Sequence, residues 1–341
     1  MKDTTGIDRL PHGVRLLHAL QKEPDWPAMT ATELASYRDR ANRLASARLS
    51  RLITGRPDRG AVIGWETVTV ADRVVPVRVY RPSPAGPAES ALPLVLQVHG
   101  GGFVGTAAQC DWMNSHLAVR VPAVVVSVEH RLLAWGSPML AAVDDGWDVL
   151  CHVIEHADRW GIDPARVAVA GESCGALIAA LAASRAGSRG LPLRAQVLTN
   201  PVCDLTETML DYPSISRYAD GPGPSEAKLR VLRELAVPSG TDPAAVSPIH
   251  AGGLGGLAPA LVIVPTLDSL ADHGRRYAQR LRESGTPAEV AEHPGAPHAF
   301  MTLPGVAPQA AAARRQITDF LRARLAGSPA SPVRPAPARV R

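Results

Sequence analysis

Cysteine, lysine and long apolar runs are all scarce in this chain, and each shortage excludes something. The four cysteines, Cys110, Cys151, Cys174 and Cys203, are widely spaced and form no CxxC pair. Neither a disulfide framework nor a cysteine zinc cluster is therefore expected, and a reducing cytoplasm is the default compartment. Lysine occurs three times against 33 arginines, a bias read first as base composition. The formal charge of +4 does not amount to a nucleic-acid surface. Five arginines (Arg322, Arg324, Arg334, Arg339, Arg341) fall in the last twenty residues without an acidic partner, and without them the body stands at −1. No apolar run approaches the roughly 18 residues of a membrane span, and the opening stretch "MKDTTGIDRLPHG" has no apolar core of a leader. Neither a membrane span nor export is expected.

What is present is an ordinary globular composition, 341 residues with 46% hydrophobic and 20% charged, enough for a large core. Between about residues 13 and 55 apolar positions recur every three or four residues. Thr30-Ala-Thr-Glu33 reads as a helix start with a capping box. "ETVTVADRVVPVRVYRP" then alternates in twos around Ala71-Asp72-Arg73, the pattern of an edge hairpin. Five short apolar runs follow ("LPLVLQV", "AVVVSV", "RVAVA", "AQVLTN", "ALVIV"), most separated by helix-length segments. Such runs suit strands buried on both faces of a parallel sheet, so the fold class is α/β, doubly wound, with helices flanking the sheet. From Leu205 to Val246 a Pro/Gly turn and one amphipathic helix interrupt the alternation. The expected organisation is an N-terminal helical cap segment (1–60), a first core part (61–204), a cap insertion (205–246), a second core part (247–326) and a disordered Pro/Ala/Arg-rich tail (327–341).

Two glycine motifs carry the chemistry. "RVAVAGESCGAL" places Gly171-Glu172-Ser173-Cys174-Gly175 between a strand and a helix, the context of a G-x-S-x-G nucleophile elbow. The serine there sits in a strained turn, and its neighbours two residues away must be small to clear the adjacent strand and helix. "HGGGF", His99 to Phe103, ends another apolar run with three bare residues. Acyl transfer on a serine needs N–H donors aimed at an oxyanion, and the N–H groups of Gly101, Gly102 and Cys174 are the candidates. His99 is expected to orient that loop by hydrogen bonding, and His130 has no assigned role. An acid and a histidine should follow the serine in that order. Asp268 and Asp272 compete for the first place, His298 and His293 for the second; position after the strand favours Asp268 and His298, since Asp272, one helical turn on, reads as a solvated or capping carboxylate and His293 falls within or beside the strand. His152 to His156 ("HVIEH") matches the H-x-x-E-H metal pattern, but without a further ligand it reads as two helical histidines.

Taken together, "HGGGF", "GIDPARVAVAGESCG", "SPIHA" (Ser247 to Ala251), Asp268-Ser-Leu-Ala-Asp272 and His298-Ala-Phe300 resemble the hormone-sensitive-lipase-like esterases, bacterial family IV of the α/β-hydrolase superfamily, over residues 60 to 325. The resemblance implies an α/β-hydrolase fold with a helical cap, Ser173 as nucleophile, Asp268 as acid, His298 as base, and Gly101, Gly102 and Cys174 as oxyanion donors. It implies a carboxylester hydrolase of short- to medium-chain acyl esters, such as a small-metabolite deacetylase, working through an acyl-enzyme without metal or cofactor. Its partner would be a small ester, with a homodimer left open. Acyl transfer, lactone formation or elimination on the same triad is the alternative, and a non-catalytic receptor the more distant one. The family's usual G-D-S-A-G-G carries Glu172, Cys174 and Ala176 here, and the Pro-Glu of its Y-R-L-A-P-E segment is missing from "EHRLLAWGSPMLAAVDD". Lid residues such as Trp26, Met29, Met209 and Tyr212 have no position that pattern alone assigns.

Overall fold

A computed structural model describes residues 9–20, 22–71, 73–83, 91–219, 221 and 223–327. The expected tail lies outside them apart from Gly327. Eight strands form one sheet: β1 (Ala61–Val70), β2 (Arg73–Pro82), β3 (Leu92–Val98), β4 (Val124–Val128), β5 (Ile162–Glu172), β6 (Ala195–Thr199), β7 (Ala260–Leu267) and β8 (Ala288–Pro297), in the order β1-β2-β4-β3-β5-β6-β7-β8. β1 and β2 are the antiparallel edge hairpin that the alternation predicts, and β2 also runs antiparallel to β4. All later pairings are parallel. The five apolar runs are β3 to β7. β4 and β6 are buried along their whole length, and Leu94, Leu96, Val98, Val167 and Val169 are fully inaccessible.

The longer helices are α1 (His12–Leu20), α2 (Ala31–Ser46), α3 (Asp111–Arg120), α4 (Met139–Glu155), α5 (Cys174–Ser188), α6 (Glu226–Ala236), α7 (Ala271–Glu283) and α8 (Gln309–Leu325). Apolar side chains of α4, α5 and α7 close one face of the sheet, and those of α3 and α8 the other. Covering both faces is what parallel strands with no polar alternation require. The predicted capping box starts α2, with Glu33 N–H on the Thr30 hydroxyl and the Thr30 N–H on the Glu33 carboxylate. Met209 and Tyr212 lie within the segment between β6 and β7. The Met209 carbonyl accepts from His273 Nε2 at 3.0 Å, and the Tyr212 hydroxyl donates to Asp204. "SPIHA" closes the base of that segment: the Ser247 hydroxyl accepts from Leu205 N–H at 2.8 Å and donates to the Pro243 carbonyl at 2.7 Å.

Strand register then decides which loops meet. Parallel strands end on one side of the sheet. Because Val98 pairs with Gly171, the HGGGF loop leaves β3 beside the turn that leaves β5. Because Leu267 pairs with Pro297, the next residues, Asp268 and His298, emerge side by side.

Candidate active site

Ser173 occupies the turn between β5 and α5 with φ 54° and ψ −118°, a left-handed conformation that costs an L-residue on the order of 1–3 kcal/mol. Its N–H is held on the Thr199 carbonyl at 2.9 Å and its own carbonyl accepts from Ala176 at 3.0 Å. The flanking glycines are sterically obligatory. A Cβ on Gly171 would lie 2.2 Å from the Gly175 carbonyl oxygen, and one on Gly175 would lie 2.2 Å from the Val98 oxygen and 2.4 Å from that of His99. Helix α5 therefore starts pressed against the end of β3, with the serine lifted off the sheet.

Beside it, His298 Nε2 is 3.0 Å from Ser173 Oγ, and His298 Nδ1 is 2.8 Å from Asp268 Oδ2. Asp268 is fully buried, and its other oxygen accepts the Leu270 N–H at 2.9 Å. A carboxylate held this way fixes the imidazole's tautomer, with Nδ1–H donating to Asp268 and Nε2 free to take a proton from the hydroxyl. The rival candidates are engaged elsewhere. Asp272 accepts from Ser214 N–H and from Arg275, each at 2.8 Å, and so caps a short helix. His293 lies within β8, opposite Pro265, and packs on Phe300. His152 and His156 stack on one another at the end of α4, and His156 Nδ1 donates to the His152 carbonyl at 2.8 Å.

The HGGGF loop wraps over this group. Gly101 and Gly102 have φ values of 117° and 55°, open to glycine, and a Cβ on Gly100 would press on the Glu172 carbonyl at 2.9 Å. The N–H groups of Gly101, Gly102 and Cys174 have no oxygen acceptor among the described residues. Beside them, burial keeps Cys174 as a neutral thiol by pushing its pKa up to about 12. His99 Nδ1 donates to the Gly100 carbonyl at 2.9 Å, the orienting contact expected of it. His130 finds its place here too, stacked on His99 with ring centroids 4.3 Å apart and its Nε2 3.2 Å from the His99 carbonyl oxygen. Burial pushes both imidazoles toward the neutral form.

Glu172 points behind the turn into a cavity of about 40 Å³ lined by Gln97, Cys110, Asn114 and Thr199. One carboxyl oxygen there has no partner, and burial pushes its pKa up to about 7.

The contacts of three residues outside the motifs escaped sequence reasoning. Arg38 of α2 donates to the Phe103 and Leu133 carbonyls, each at 2.8 Å. Asn42 accepts from Gly105 N–H at 2.9 Å, and Trp26 packs on Phe103 with centroids 5.1 Å apart. A polar residue spaced every fourth place on an otherwise exposed helix was the sole available signal. Where the Pro-Glu pair is missing, buried Asp145 shapes the loop by accepting both the Arg131 guanidinium and its backbone N–H.

Comparison with known proteins adds an independent line. A family model described as α/β hydrolase fold matches residues 95–302. Esterase LipI of Mycobacterium tuberculosis is 35% identical over 257 residues, covering 73% of this chain and 78% of that one. Ethyl acetate hydrolase of Pseudomonas putida is 33% identical over 268 residues, covering 76% and 82%. Among solved structures, a thermostable esterase from Pseudomonas putida superposes with a TM-score of 0.80 at 26% identity, over 93% of this chain and 98% of that one. With sequence, fold and relatives in agreement, the chain belongs to the hormone-sensitive-lipase-like esterases of the α/β-hydrolase superfamily and is a carboxylesterase-type hydrolase.

Proposed function

We propose that the protein hydrolyses small carboxylic esters through an acyl-enzyme on Ser173, with His298 as general base and acid and Asp268 as its orienting carboxylate. The observation that carries this reading is the continuous chain from Ser173 Oγ through His298 to Asp268, with spacings of 3.0 and 2.8 Å. His298 Nε2 takes the hydroxyl proton as Oγ attacks the ester carbon, and the N–H groups of Gly101, Gly102 and Cys174 receive the oxyanion. Collapse of that intermediate breaks the bond to the alcohol, which leaves with the proton from Nε2. Water then gives its proton to Nε2 and attacks the acyl carbon, freeing the acid and restoring the Ser173 hydroxyl. Asp268 stays ionised throughout and stabilises the imidazolium.

The helices before β1 and the segment from 205 to 246 act in this reading as a cap. Short- to medium-chain acyl groups are what the family resemblance implies, and the relative named for ethyl acetate supports a small ester. Ser173→Ala is expected to lower kcat on 4-nitrophenyl butyrate by about four orders of magnitude, roughly 5 kcal/mol in barrier, with folding intact. Near-full turnover in that variant would end the proposal. Intact-mass measurement after brief exposure to the ester should show one acyl group on the wild type and none on the variant. Adding amine or alcohol acceptors and recovering only free acid separates hydrolysis from acyl transfer.

A further inference from the structure

One half-buried cation has no role in this mechanism. Lys228 lies in the first turn of α6, on the segment that covers the site. Five residues earlier, Gly223 touches the reacting group, where a Cβ would lie 3.4 Å from Asp268 Oδ1 and 3.5 Å from His298 Cβ. Four residues later on the same helix face, the Leu232 side chain reaches within 3.2 Å of the Cβ position of Gly102. The helix thus starts over the Asp268–His298 pair and passes over the oxyanion loop, with Lys228 between. Its Nζ sits 5.2 Å from the Trp26 ring centroid and 5.6 Å from that of Phe103.

No carboxylate pairs with this ammonium among the described residues. The closest in electrostatic influence, Glu23, spends its Oε1 on the Trp26 indole N–H at 2.7 Å and on the Ser225 hydroxyl. The Cβ position of Gly102 that Leu232 approaches is also 3.3 Å from Cys174 Sγ, so this face of the helix lies against the residue after Ser173. A half-buried cation set against ring faces, with the one carboxylate that influences it beyond ion-pair distance, is short of a close counter-ion. Burial pushes its pKa down, a cost that a bound anion would offset. The residue is also one of only three lysines in a chain with 33 arginines, and a compact charge on a flexible stem can follow a small anion.

We propose that Lys228 determines specificity by binding an anionic group of the substrate, so that the preferred esters carry a carboxylate near the reacting carbonyl. This deepens the hydrolase reading and rests on it. The carboxylate can belong to the acyl or the alcohol part, and two matched pairs of esters distinguish them: mono-4-nitrophenyl succinate against 4-nitrophenyl pentanoate, and 4-acetoxybenzoate against phenyl acetate. The quantity read is the anionic-to-neutral ratio of kcat/KM. In at least one pair, Lys228→Met and Lys228→Gln are expected to lower that ratio by about tenfold or more, and Lys228→Arg to hold it within about threefold of wild type. A cation that merely clamps Trp26 to Phe103 would leave the ratio where it was, and ratios unchanged within about twofold in both pairs overturn the proposal. If neither neutral variant folds, the wild type decides: a ratio above one in either pair supports the proposal, and below one in both overturns it. No turnover of any of the four esters, with no acyl group on Ser173, instead removes the hydrolase reading and this inference with it.

Discussion

The two sides of this site are held in place by different means. On the sheet side, Ser173 and the HGGGF loop are set by backbone contact: glycines at 171 and 175 have carbonyl oxygens where a Cβ would go, and strand register delivers Asp268 and His298 as neighbours. On the helical side, α2, the stretch before it and α6 reach the same loop through single side chains, Arg38 and Asn42, Trp26, and Leu232. Backbone contacts have no slack, because a carbonyl cannot rotate out of the way. Side-chain contacts yield gradually, so this side can vary with substrate while the reacting atoms keep their places.

That contrast can be broken at several points. Gly175→Ala should have the largest effect, since its methyl falls on two carbonyl oxygens of the β3 end: about 3 kcal/mol or more of stability and a thousandfold or greater loss in kcat/KM. Activity within tenfold of wild type would mean that β3 can step back and that the sheet side has slack after all. Trp26→Ala removes a 2% exposed indole, and costs roughly 3 kcal/mol where it acts. Hydrogen exchange should then quicken in α2 and leave β5 and β7 protected. Equal deprotection of the sheet would show one cooperative unit instead of two.

Glu172→Gln sharpens the comparison from inside the sheet. The buried carboxyl's pKa is raised to about 7 from an ordinary 4.5. Below pH 4.5 both folded and unfolded forms hold the proton, so nothing is lost. Between 4.5 and 7 the unfolded chain releases it while the folded one retains it, and stability falls by up to about 3 kcal/mol, then levels off. The glutamine variant lacks this decline. Denaturant titrations of both proteins from pH 4 to 8 measure the difference, and parallel curves would show the carboxyl to be already solvated.

Much of this was legible beforehand. Continuous apolar runs announced β3 to β7 because parallel strands bury both faces, and the steric demand on the elbow appeared as glycines two residues either side of Ser173. Position after a strand, together with the family resemblance, already favoured Asp268 over Asp272 and His298 over His293, but not their meeting. The Leu267–Pro297 register supplies that by carrying the next residue of each strand to the same point. Arg38 and Lys228 were illegible for another reason. An arginine on an exposed helix and a lysine in an amphipathic one are what surface helices contain, and neither reveals what lies 65 or more residues away in the chain.

By itself, then, the order of residues determined the strands, the bare-backbone loops and the kind of chemistry they can support, because those follow from local periodicity and from sterics within a few positions. Only the tertiary structure decided that Asp268, His298 and Ser173 stand within hydrogen-bonding distance and that Lys228 lies against Trp26 and Phe103. Those placements depend on strand register and helix docking, which bring together residues distant in sequence that no local preference can align.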